Sequence, residues 1–337
     1  VSRMSEKHAP WAVALMPRVI EELRLLLRSG RTRRAQVLMQ FIAGLGNSGL
    51  LGLDDIFVLL EEIAALSQGL RPSKGGDVGV FLALSTLPFL SAASHVKAAS
   101  RVETLLQGLQ EYLSSRRAGW TAILQFVKSK ANPDVLEALL AALEPMKRAG
   151  WTSQCVRHVP GFEPVLESKV EGMTLPRLEM TAEDIKRGKV RFQPPLMATR
   201  LLTGPAESDG ADDHMPCYDR WLLEEGIVLT MDAFGLDVQE CAKQLLKMPV
   251  LHPQFEVILI EVVFAQMFRL PTPSELPLFY MRLLEAIMAN QASTKAVVEQ
   301  YYAAIIRRAP ELDEECLEVL AEVYAYHLSH NAYKTDW

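Results

Sequence analysis

Two patterns in this chain have the residue types and spacing to do chemistry. Gly44, Gly46 and Gly49 spell G-x-G-x-x-G inside the stretch FIAGLGNSGLLGL, Phe41 to Leu53. Between a strand and a helix, that spacing lets the backbone close on a dinucleotide pyrophosphate. Cys155-x-x-His158 and His214-x-x-Cys217 form a mirrored pair. Two such pairs are the ligand set of a tetrahedral zinc site.

The elements around these residues argue against both chemistries. Val37, Leu38, Phe41, Ile42 and Leu45 recur at steps of one and three, with Gln36 and Gln40 between them. That is the period of a helix, not of the strand a dinucleotide fingerprint requires. The spacing predicts a helix from Thr32 through Ala43 that stops in the glycines, and a second from near Asp54. Glu61 and Glu62, the carboxylates nearest the ribose-binding spacing, then fall inside the second helix. The gap between the two Cys/His pairs far exceeds that of compact zinc modules. His327 and His330 share a helix face without a third ligand nearby. No nucleophile, base and orienting group stand together by spacing. The expectation is a chain with no catalytic residue, no cofactor-binding residue and no metal ligand.

Charge narrows the partners. Thirty-five basic against 41 acidic residues give a net charge of −6. Affinity for nucleic acid comes largely from basic side chains on phosphates, so direct tight RNA binding is not expected. The local clusters, Arg24, Arg28, Arg31, Arg33 and Arg34, then Lys186, Arg187, Lys189 and Arg191, read as solvated faces or helix-end charges. The four cysteines are far apart and form no disulfide framework. No apolar run reaches the roughly 20 residues of a membrane span, no secretory signal is visible, and no membrane partner is expected.

Nearly every periodic segment is helical. Helices are predicted to end near Ser29 and to span Asp54–Ser67, Val78–Ala93 with a kink or break at Pro88, and Val96–Arg116. Another opens at Pro133. The segment from Gly150 to Met215 is different, with prolines at 160, 164, 176, 194 and 195 and the acidic stretch PAESDGADDH. It reads as a surface loop or an arm packed along the helices. Helices resume at Tyr218–Met231, Val238–Lys247, Pro253–Phe268, Ser274–Ala289, Thr294–Arg308 and Leu312–His330. Starts near 253, 274, 294 and 312 pair into units of about 40 residues, the spacing of stacked helical hairpins. The fold class is therefore all-α: stacked antiparallel hairpins of a HEAT-like α-solenoid, with a long irregular excursion around 150–215.

Several stretches resemble the large subunit of the nuclear cap-binding complex. They are FEVILIEVVFAQMFRLPTPSELPLFYMRLLEAI (Phe255 to Ile287), closed by the turn Leu270, Pro271, Thr272, Pro273, and CAKQLLKMP (Cys241 to Pro249). Tyr326, His327, Leu328 and Ser329 are similar too, as are Leu136, Leu139, Leu143, Met146, Lys147 and Trp151. So are Ser85, Thr86, Leu87, Pro88 and Phe89, and the hairpin around Phe41 to Leu53. No single stretch is a specific motif; their common order along the chain carries the resemblance.

The resemblance implies helical domains like the middle domain of initiation factor 4G. Residues 1–118 would be the later part of a first domain, 119–131 a linker, and 132–337 a second domain with a loop or arm at 150–215. It further implies a non-catalytic nuclear scaffold, able to shuttle to the cytoplasm. Its partners would be a small RNA-recognition-motif subunit that binds the 7-methylguanosine cap, capped RNA through that subunit, and RNA-processing and export factors. Tyr333, Lys334 and Trp337, beyond the last helix, would lie at or next to the contact with the partner or a third domain. A cytoplasmic translation-initiation scaffold and a zinc- or nucleotide-binding enzyme are the other readings.

Overall fold

The structure is a computed structural model. It describes residues 9–67, 74–116, 134–153, 155, 174–187, 192, 200–203, 215–250, 252–269 and 273–330. Those residues are helical with short connections, an all-α solenoid of stacked hairpins; no sheet forms among them. The chain divides into two compact units: Val1–Thr121 with Asp134–Gln193, and Ala122–Pro133 with Pro194–Trp337.

The first unit holds α1 (Ala9–Arg28), α2 (Thr32–Asn47), α3 (Leu53–Ala65), α4 (Lys74–Thr86), α5 (Ala92–Lys97), α6 (Ala99–Ser114), α7 (Val135–Arg148) and the short α8 (Ala182–Arg187). α4 is its centre. Val78 and the run Val80–Leu84 are buried on every side, and α4 packs on α2, α3, α7 and α8. Gly79 makes the tightest of these approaches possible: a Cβ there would lie 2.4 Å from the Ile63 carbonyl oxygen of α3. Pro88 ends the helical path as the sequence requires. α4 stops at Thr86, a 3-10 turn spans Leu87–Phe89, and the Ser91 side chain caps α5 by accepting from the Ser94 amide.

α2 departs from expectation at its end. It does not stop at Ala43 but runs through Gly44 and Gly46 to Asn47. Only Gly49 adopts a left-handed conformation, with φ of 71°. The Leu50 amide donates to the Leu45 carbonyl at 3.1 Å and the Gly49 amide to the Gly46 carbonyl at 3.0 Å. This is a Schellman stop. Gly46 serves packing instead, since a Cβ there would sit 2.0 Å from Ile56 Cδ1.

α7 starts after the linker expected at 119–131, yet it packs on α4 and α6 of the first unit. A buried charge cluster explains the tie. Arg116 donates to Asp77 at 3.0 Å and to Asp134 at 2.6 Å. Asp134 also caps α7 by accepting from the Leu136 and Glu137 amides. Part of the excursion is an arm on the helices. Residues 174–180 run without regular structure into α8, Leu178 and Ile185 are fully buried, and Phe192 lies 5.3 Å from Phe81.

The second unit holds α9 (Cys217–Phe234), α10 (Val238–Leu246), α11 (Phe255–Met267), α12 (Pro277–Asn290), α13 (Thr294–Arg307) and α14 (Glu314–His330). α11 is buried from Ile258 through Met267 and packs on α9, α12 and α13. The run that passes for a strand by composition is thus the central helix. Phe264 anchors it, stacked on Tyr301 at 4.2 Å and edge-on to Tyr302 at 5.2 Å.

Candidate partner-docking face

Among the described residues, the second unit's most exposed large apolar side chains lie where α9 turns into α10 and where α12 begins. α9 ends at Phe234. Asp237 then caps α10, its carboxylate accepting from the Gln239 and Glu240 amides at 3.0 Å each. Leu236 immediately precedes that cap. Pro277 fixes the first turn of α12 and leaves Leu276 outside the helix. Leu236 is 107% exposed and Leu276 75%, with Phe234 and Leu278 also exposed. The two turns are neighbours, because a Cβ on Gly235 would lie 3.7 Å from Glu275 Oε1.

A groove of about 600 Å³ opens beside Leu236, with Val238 and Gln239 on one wall and Arg282, Glu285, Ala286 and Ala289 of α12 on the other. Its surroundings are acidic. Burial pushes the Tyr280 hydroxyl up to about 12, and the charges of Glu275 and Asp232 push the same way. Both carboxylates therefore lie close to the start of α12. Tyr326 of α14 donates to Glu285 Oε2 at 3.2 Å and stacks on His330 at 3.9 Å. The last described turn of α14 is so tied to the groove wall. The sequence-predicted contacts Tyr333, Lys334 and Trp337 follow His330 and lie outside the described residues.

The second unit also holds a buried ionic cluster that periodicity and spacing do not reveal. Arg220 on α9 donates to Glu261 on α11 at 2.6 Å, to Glu224 at 2.8 Å and to Thr203 Oγ1 at 2.6 Å. Glu261 also accepts from the Leu202 amide at 2.8 Å, which fixes the end of the 150–215 excursion onto α11. Burial works against the Arg220 charge, but Glu224 and Glu261 more than offset it and its pKa is raised. One signal was legible: Glu261 is the lone carboxylate in ILIEVVFAQM, and a charge in an apolar helix demands a partner. Leu236 and Leu276 had no such signal, since a surface leucine reads like a core one.

The other candidates have positions too. Gly44, Gly46 and Gly49 close one helix of a hairpin, with no strand before them. His158 and His214 lie outside the described residues, while Cys155 and Cys217 are half-buried in different units. Among the described residues no three His, Cys, Asp or Glu side chains gather as a metal site. Cys241 and Cys316 are buried, and burial first, then nearby carboxylates, raises each thiol to about 11. His327 is buried against Tyr302, ring centroids 4.7 Å apart, in the aromatic core.

The chain matches no protein-family model. It is 26% identical to nuclear cap-binding protein subunit 1 of Caenorhabditis elegans over 352 aligned positions, covering all of this chain and 43% of that protein. Against nuclear cap-binding protein subunit 1 of Caenorhabditis briggsae it is 24% identical over 349 positions, again across the whole chain and 43% of the relative. The chain thus spans less than half the length of these relatives. The similarity runs along the chain's entire length: the chain resembles a stretch of nuclear cap-binding protein subunit 1.

Proposed function

We propose that this chain is part of the large, non-catalytic subunit of a nuclear cap-binding complex. It holds a small RNA-recognition-motif subunit, which stacks the 7-methylguanosine cap, and presents helical surfaces to RNA-processing and export factors. RNA is reached through the small subunit. The place of action is the nucleus, with shuttling to the cytoplasm. The observation that carries this reading is the match of the whole chain to two relatives of that name. The all-α hairpin architecture supports it, as does a net charge of −6, which disfavours direct phosphate binding. Tyr333, Lys334 and Trp337 are proposed contacts at the C-terminal edge, because large aromatics beside a charge are common binding hot spots.

The test is affinity purification of the tagged chain from nuclear extract, with mass-spectrometric identification of what co-elutes, and fluorescence titration with 7-methylguanosine cap analogue. A stoichiometric small RNA-recognition-motif protein, and cap binding only when it is present, is the expected result. Cap-selective binding by the isolated chain would overturn it, and recovery of translation-initiation factors alone would favour the cytoplasmic scaffold. Tyr333→Ala with Trp337→Ala should weaken the partner at unchanged melting temperature. Lost stability at unchanged affinity would remove these residues from the contact.

A further inference from the structure

We propose that the groove between the α9–α10 turn and α12 docks an amphipathic helix of a partner protein, one with leucine-type anchors on one face and lysine or arginine beside them. The inference rests on the second unit's own surface and does not require membership of a cap-binding complex.

Three independent observations point to this occupant. The first is apolar exposure. Leu236 and Leu276 stand out in water at 107% and 75% of their full area, on two adjacent turns, with Phe234 and Leu278 nearby. Large apolar side chains this exposed on adjacent turns mark a binding site more often than leucines scattered singly. The second is shape. The groove has about 600 Å³, and the small side chains of Ala286 and Ala289 form part of its wall. Small residues let a further helix backbone come close, and a groove between two helices is the usual seat for an amphipathic one.

The third observation is charge. Asp232, Asp237 and Glu275 are exposed around the leucines. Arg282, on the groove wall, lies beside the Tyr326 hydroxyl that Glu285 holds. Arg282 and Arg269, which also acts on Tyr280, offset part of this charge, but Asp232, Asp237, Glu275 and Glu285 outnumber them, so the rim favours cationic flanks on the occupant. The same rim repels phosphate, which disfavours RNA. A second copy of this chain would bring acidic rim against acidic rim.

The probe is a short fluorescein-labelled peptide with leucines at helical spacing and lysines between them, followed by anisotropy against the full chain. Its controls are the same composition with leucines out of phase, and the same leucines with glutamate for lysine. Saturable binding of the first peptide is expected, weakened at least about tenfold by Leu236→Ser with Leu276→Ser and also by Asp232→Asn with Glu275→Gln. Glu111→Gln with Glu318→Gln, which removes two exposed charges elsewhere, should leave it unchanged. All four groove positions are exposed, so thermal midpoints should not move. Absence of saturable binding, equal binding of the glutamate peptide, or groove variants that bind like wild type would overturn the proposal. Saturable peptide binding only after deletion of 331–337 would make the chain's own tail the occupant. Dimerisation of the chain abolished by the leucine changes would make it a second copy. Either result refutes a partner helix.

Discussion

Arg220 and Glu261 meet at 2.6 Å inside the second unit, their side chains 4% and 0% exposed. The pair joins α9 to α11, and Thr203 and Leu202 hang on the same carboxylate. Removing one partner of a buried pair leaves the other charge uncompensated, at about 3–5 kcal/mol. Glu261→Ala is expected to lose stability on that scale in urea unfolding. Glu261→Gln, which keeps an acceptor for the Leu202 amide, should lose less. A loss near zero for the alanine variant would mean that Glu224 alone satisfies Arg220.

Legibility in the sequence followed physical range. The helices were readable because their apolar period is local, and Pro88 marks a break by fixed backbone geometry; the start expected at Ser274 instead falls at Pro277. That α11 is a buried helix was readable from the length of its apolar run. What escaped were properties set by residues far apart in sequence. Arg116 joins Asp77 and Asp134 across 39 and 18 positions, and that tie places α7 in the first unit. The docking face escaped because exposure of Leu236 depends on how the chain packs around the turn, which composition does not encode.

The three glycines of the G-x-G-x-x-G stretch should separate under alanine substitution. Gly44 is in the last turns of α2, and a Cβ there meets nothing within 4 Å. Gly44→Ala should therefore gain up to about 1 kcal/mol from helix propensity. Gly46→Ala pushes against Ile56, a buried side chain, and should destabilise through that displacement, by about 1–3 kcal/mol. Gly49→Ala must hold φ near 71°, at a cost of about 1–2 kcal/mol. Denaturant midpoints give the order, and equal effects at all three positions would refute it.

His95 lies face to face with Trp151, ring centroids 3.8 Å apart and planes 8° from parallel. Burial lowers its pKa to about 4, against a weaker upward pull from the Leu87 carbonyl. The folded state therefore keeps His95 neutral, while the unfolded chain protonates it near 6.5. Its contribution is fully present above pH 6.5 and declines as pH falls towards about 4, since the unfolded state then binds the extra proton. The loss across that window is on the order of 3 kcal/mol. Urea unfolding of wild type and His95→Phe between pH 7 and pH 4.5 measures it. The wild type should lose more stability than the variant over that range. Parallel curves would show that His95 is not buried as a neutral ring.

The arm at 174–187 should detach as a unit when its anchors are cut. Arg24 of α1 donates to the Leu178 and Arg177 carbonyls at 2.7 and 2.8 Å. Glu62 of α3 accepts from the Leu178 amide at 2.8 Å, and Asp55 accepts from the Leu175 amide at 3.2 Å. Between these bonds the Leu178 side chain is fully buried. The backbone of the irregular part has no helix or sheet to satisfy it, so its order depends on these side chains, on Leu178 and, through α8, on buried Ile185. Leu178→Ser removes the apolar anchor and adds a hydroxyl at a buried site, at about 2–5 kcal/mol for the arm's attachment. Helices α2 and α4 do not supply these hydrogen bonds and should stay folded. Hydrogen exchange resolves the two cases: in Leu178→Ser the amides of Leu175 and Leu178 should exchange far faster, with α4 still protected. Protection lost equally across α2, α4 and the arm would mean that the arm belongs to the cooperative core of the first unit.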